Sequence, residues 1–167
     1  MNTKSMISYQ GNVTLKIYHG DKEVKTIYNH NEGSLSLMSF LVHCLGGDYH
    51  YSETPKYIKA YYNESGDDFS PTQESQVTLR PIVTNFPPKY IVDNSTTKAK
   101  IQLTFLIPNG VYDSSKTINR LALYNLDHRD GYSDYLAWIK TEPITLTSGE
   151  SLMIIWEMTL ANIQVSE

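Results

Sequence analysis

Large apolar residues occupy every second position from 152 to 160. Leu152, Ile154, Trp156, Met158 and Leu160 fall on one side of an extended chain, and Met153, Ile155, Glu157 and Thr159 on the other. A spacing of two marks a strand, because successive side chains of extended backbone point to opposite faces. The first face is uniformly large and apolar while the second turns polar halfway, so one side is expected in a core and the other covered only at its start. The surrounding run TSGESLMIIWEMTL is no membrane span: such a helix needs about 20 apolar residues, and Glu157 interrupts this one. Ser148, Gly149 and Glu150, just before the strand, read as the turn of a hairpin whose first arm covers residues 144–146.

The same alternation recurs along the chain. In residues 12–19, Val13, Leu15 and Ile17 oppose Thr14, Lys16 and Tyr18; a turn at His19, Gly20 and Asp21 leads into residues 23–28, giving a first hairpin. Residues 56–62 and 98–107 alternate too, the latter with Ile101, Leu103, Phe105 and Ile107 on one face. Residues 81–92 are rich in proline, which donates no ladder hydrogen bond, so only short or edge pieces are expected there. Residues 118–124, with Leu121 and Leu123, and residues 135–139, with Trp138, complete a set of eight or nine strands.

One segment has a different period. In SLSLMSFLVHCLGG, Leu37, Phe40, Leu41, Cys44 and Leu45 recur at spacings of three and four, Ser34 suits a helix N-cap, and Gly46 and Gly47 suit a left-handed stop. This predicts an apolar helix over residues 34–46, packed against a sheet. The expected fold is mainly β: an antiparallel, jelly-roll-like β-sandwich with one helix, in a single domain over residues 1–167. Its expected core takes in Leu37, Phe40, Leu41, Cys44, Phe105, Leu121, Leu123, Trp138, Ile154, Trp156 and Met158.

Composition narrows the function. The net charge is −4 and the basic residues are scattered singly, so nothing gathers a phosphate backbone and no direct nucleic-acid partner is expected. Cys44, the one cysteine, has no internal disulfide partner, and the first thirty residues lack a basic start followed by an apolar stretch. Synthesis in a reducing cytoplasm is the expectation.

Few residues suggest chemistry. His43 and Cys44 are adjacent, but neighbours on a helix point about a hundred degrees apart, so a buried structural thiol is favoured over a catalytic dyad. Asp127, Asp130 and Asp134 crowd one turn without the spacing of a calcium loop, and Asp67 and Asp68 read the same way. The five histidines, at 19, 30, 43, 50 and 128, form no zinc-ligand pair, and no glycine-rich phosphate loop occurs. Neither a cofactor, a metal nor a catalytic residue is expected.

Thirteen tyrosines exceed what a core accommodates, since each buried hydroxyl needs a partner. In KYIKAYY, Tyr57, Lys59 and Tyr61 share one face, expected to be half-exposed. That face, with the neighbouring loop carrying Asp67 and Asp68, is the candidate contact surface. Tyrosine joins apolar area to a polar tip, which suits protein interfaces and glycan-binding surfaces alike. A solvent-wetted strand face is the plain alternative.

The order of segments carries one further signal. GNVTLKIYHGDKEVKTIYNHNEG, then SLSLMSFLVHCLGG, PKYIKAYY, TFLIPNG, INRLALYN, YLAWIK and ITLTSGESLMIIWEMTL together resemble small virion structural proteins of tailed bacteriophages. The resemblance spans most of the chain and rests on hydrophobic patterns. It implies a non-enzymatic head auxiliary, fibre-anchoring, collar or tail protein, located in the virion and assembled as a homo-oligomer with other virion structural proteins. A carbohydrate-binding, lectin-like module is the alternative.

Overall fold

The computed structural model describes residues 3–33, 37, 55, 57–62, 82–83, 86–111, 115–124 and 135–166. Among these are nine strands: β1 (Thr3–His19), β2 (Lys22–Gly33), β3 (Tyr57–Tyr62), β4 (Ile82–Val83), β5 (Lys89–Asp93), β6 (Lys98–Ile107), β7 (Ile118–Tyr124), β8 (Ala137–Ile144) and β9 (Glu150–Ser166). All pairings are antiparallel, in the order β4-β3-β7-β8-β2-β1-β9-β6-β5. Two sheets share this order. One runs β2-β1-β9-β6-β5; the other is built on β8, β7 and β3, with the two-residue β4 at its margin. Strand β2 belongs to both, pairing with β1 up to Asn31 and then with β8 through Glu32 and Gly33.

The alternation read from the sequence becomes the inner face of each sheet. Val13, Leu15 and Ile17 of β1, Leu103, Phe105 and Ile107 of β6, and Leu152, Ile154, Trp156 and Met158 of β9 are buried in one cluster. Ile58 and Ala60 of β3, Leu121 and Leu123 of β7, and Ala137 and Ile139 of β8 join that cluster from the second sheet. Trp156 is its largest side chain, set between Val13 and Leu103 on the neighbouring strands. Glu157 faces the other way, where Lys100 Nζ and Gln102 Nε2 donate to its Oε1 at 3.1 and 3.0 Å.

The first hairpin forms where expected. Its two-residue loop has Gly20 at φ 58° followed by Asp21, the pattern of a type II′ turn, in which only the first central residue needs positive φ. A bulge between Ile17 and Tyr18 adjusts the register beside the turn. Among the described residues, the proline-rich stretch yields β4 and β5, both at sheet margins.

Three expectations need correction or stand apart. Ser148 to Glu150 do not close a hairpin: β8 pairs with β7 and β2, β9 pairs with β1 and β6, and the turn carries the chain from one sheet to the other. Gly149 has φ 89°, Glu150 N donates to Thr147 O at 3.0 Å, and Gly20 N donates to Gly149 O at 3.3 Å, so the crossover is fastened to the first hairpin. The buried Leu146 anchors it to the core, which a turn within one sheet would not require. Trp138, expected in the main core, is half-buried on the opposite face of the second sheet. The helix expected over residues 34–46, with Phe40, Leu41 and Cys44, lies outside the described residues except for Leu37, which is helical and buried.

At one end the inner face turns polar. Asn31 is buried opposite Gly11, and its Nδ2 donates to the Tyr9 hydroxyl at 2.6 Å. A methyl at position 11 would occupy the place of the Asn31 carboxamide, so glycine is required there by space. Burial raises the Tyr9 hydroxyl from 10.0 to about 12, outweighing the hydrogen bond from Asn31, which lowers it.

Two outcomes follow from this packing. Trp156→Ala should cost about 3 to 5 kcal/mol in denaturant unfolding, for lost contact and a cavity; Trp156→Phe should cost clearly less, because the indole Nε1 has no hydrogen-bond partner to lose. The Tyr9 contribution has the sign of a raised pKa: it is fully present below pH 10 and is lost as pH rises through about 12. Stability should therefore fall more steeply over that interval in the parent than in Tyr9→Phe, as read by urea midpoints across an alkaline series.

Candidate interaction surfaces

The candidate contact face on β3 is built as a second, smaller cluster. Tyr57, Lys59 and Tyr61 do share one face, and antiparallel pairing sets Tyr124, Ala122 and Arg120 of β7 directly opposite them. This is the face turned away from the main core. It is buried all the same: Tyr61 is 0% exposed, Lys59 2% and Arg120 1%, while Tyr57 is half-buried. The expectation of a half-exposed contact surface is thus corrected for Lys59 and Tyr61. Alternation tells apart the two faces of a strand but not whether the second is also covered, and lysine and tyrosine, with long apolar stems and polar tips, suit either setting. Asp67 and Asp68, the other candidates, lie outside the described residues.

The chemistry of this face is electrostatic. Lys59 Nζ sits 4.8 Å from the ring centre of Tyr124, and Arg120 Cζ 5.5 Å from that of Trp138. The Tyr61 and Tyr124 hydroxyls are 2.7 Å apart and share a hydrogen bond. Tyr135 packs alongside. Cations held over ring faces gain from the ring quadrupole, more so when water is excluded. The arrangement fixes side chains. Among the described residues, no three His, Cys, Asp or Glu side chains converge as metal ligands, and no helix is long and apolar enough to cross a membrane. Asp127, Asp130, Asp134, His43, His50 and His128 lie outside the described residues. His30 Nδ1 is hydrogen-bonded to Asn12 Oδ1 at 2.8 Å, on the exposed side of the first hairpin.

The exposed apolar surface is elsewhere, on β5. Every residue of Lys89–Asp93 is exposed, with Tyr90 at 68%, Ile91 at 47% and Val92 at 70%. The reason is register. β5 pairs with residues 98–102 of β6, whereas the fully buried positions of β6 begin at Leu103 and Ile101 packs only partly against the core, so β5 lies at the core's margin and beyond it. Its turn is firmly tied. The Asp93 carboxylate accepts hydrogen bonds from Ser95 N and Oγ at 3.0 and 2.6 Å and from Thr96 N and Oγ1 at 3.4 and 2.6 Å. These, led by the Ser95 and Thr96 side chains, lower Asp93 to about 2. Sequence reasoning marked this stretch as an edge but passed over its apolar side chains; the signal was KYIVD, three apolar residues enclosed by opposite charges after two prolines.

No protein-family model, curated protein or solved structure matches the chain.

Burial of the β3 face sets a direct test. Lys59→Glu combined with Tyr61→Ala, harmless on a contact surface, should lower the unfolding free energy by several kcal/mol, since a buried carboxylate replaces a cation on a ring and a cavity opens. Tyr61→Phe, which removes the hydrogen bond shared with the Tyr124 hydroxyl but keeps the ring, should cost about 1 kcal/mol. Thermal and urea unfolding measure both.

Proposed function

We propose that the chain is a non-enzymatic structural component of a tailed-bacteriophage virion, built as a jelly-roll-like sandwich and acting through protein contacts in repeated copies. The observation that carries the reading is the projecting β5 edge, whose apolar side chains are left in solvent by the fold itself. Exposed edges are hazards that soluble proteins usually blunt, and the three exposed apolar residues of this one are a natural seat for another chain. The order of segments from GNVTLKIY to IIWEMTL supports the virion setting by its resemblance to head auxiliary, fibre-anchoring, collar and tail proteins. A lectin-like module draws on a separate observation: the ring of Tyr28 is 79% exposed and open to stacking.

The two readings part in one experiment. Purified particles should contain the protein in a fixed stoichiometry, measured by quantitative mass spectrometry, and the isolated protein should bind a virion partner or itself and leave a glycan array blank. A chain absent from particles that binds glycans alone would favour the lectin-like module; one that turns over an ester, glycan or peptide would make it an enzyme.

A further inference from the structure

We propose that two copies of the chain join edge to edge through β5, antiparallel and symmetric about Ile91, making one continuous sheet from two five-stranded ones. This rests on the assembly reading above and names its partner: a second copy.

The edge is self-complementary in sequence. Turned end for end, Lys-Tyr-Ile-Val-Asp meets itself with Lys89 opposite Asp93, Tyr90 opposite Val92 and Ile91 opposite Ile91. Each copy thus offers both charges, and the pairing forms two Lys–Asp contacts related by a two-fold axis, as an isologous interface requires. Edge strands are often protected by charge, most effectively where like signs would meet in a second copy. Here the signs are opposite and symmetrically placed. The apolar pairs between them bring together side chains that the monomer leaves in water, and such cross-strand pairs are the stabilising unit of a sheet.

The register is confined as well. Pro87 and Pro88 precede the strand and residues 94–97 turn away after it, so neither side extends the ladder. A slip of two residues sets Lys89 against Ile91 and leaves both charges unmatched. A slip of one moves every side chain out of step with its cross-strand partner on the same face. Among the described residues β5 has a strand on one side only, and the bonds from Ser95 and Thr96 to Asp93 hold the ribbon ready to pair. Five residues a side bury less than the ~1,200 Å² of stable independent complexes, so association should be concentration-dependent in isolation and strengthened where many copies are gathered.

Cysteine placement tests the axis in the full chain. In a Cys44→Ser background, Ile91→Cys should form a disulfide-linked dimer under mild oxidation, because directly opposed antiparallel residues lie within the ~4.4 to 6.8 Å Cα range of a disulfide. Tyr90→Cys should not, since each copy's residue 90 faces residue 92 of the other and the two cysteines would be more than about 7 Å apart. A charge change at Lys89, which leaves the Asp93 turn intact, tests the pairing independently: by sedimentation equilibrium, Lys89→Glu should self-associate about tenfold more weakly than the parent, while Lys89→Arg should associate as the parent does. Equal cross-linking at 90 and 91, a Lys89→Glu variant that associates as the parent does, or a parent that stays monomeric would overturn the pairing. Particle incorporation then separates the two readings. If Lys89→Glu enters particles as the parent does while pairing fails, the assembly reading stands without this interface; if the parent pairs through Ile91 but is absent from particles, the pairing stands and the virion reading falls.

Discussion

The fold depends on how β9 is filled in on both sides. Along its whole length it pairs with β1, from Thr3 opposite Ser166 to His19 opposite Glu150, and along most of it with β6. At the middle of this three-stranded unit, Val13, Trp156 and Leu103 stand side by side, all directed at the second sheet. The large apolar area of Trp156 explains why the row matters: burial contributes free energy in proportion to area, and this residue is the largest that the core removes from water. Because side chains alternate strictly, any shift of β9 by one residue would turn Glu157 inward and Trp156 outward, so the same row sets the register of both neighbours.

The second sheet is held to the first in three ways. β2 passes from one to the other; the turn before β9 crosses between them, with Leu146 buried beside it; and Lys25 Nζ pairs with Glu142 Oε1 at 2.6 Å at the margin. The exposed ion pair adds little on its own, and the continuous core adds most. The second sheet is buried on its other face too along β3 and β7, where Lys59 and Arg120 rest on tyrosine and tryptophan rings, while Lys140 and Glu142 of β8 are exposed. The first sheet is more uneven: its centre is half-covered on the outer side, and at β5 both sides reach solvent.

What could be read from residues alone follows this division. The alternation of Leu103, Phe105 and Ile107, or of Leu152 through Met158, maps directly onto a face and therefore onto a strand, and residues 98–107 are a strand end to end. The Gly20 turn was legible because a two-residue hairpin loop demands particular backbone angles. The Gly149 turn was misleading for the same reason in reverse: a positive φ reports a sharp local turn, not which sheet the chain enters next. The burial of Lys59 and Tyr61 is not legible in the sequence because an amphipathic side chain suits a wetted face and a covered one equally. Ile91 was overlooked because three apolar residues between charges look like any short strand until the register shows the core ending before it.

The position of β9 also bears on how the molecule is made. β1 and β6 are neighbours of β9 but not of each other, so until the last of the three emerges from the ribosome each holds an apolar face and an open edge with no permanent mate. Local hairpins such as β1-β2 and β5-β6 can close early, yet the wall they belong to cannot be completed during most of synthesis. The nascent chain therefore passes through a long interval in which its stickiest surfaces are uncovered, and a stall or truncation before residue 150 would leave two half-built ribbons for chaperones and proteases to sort.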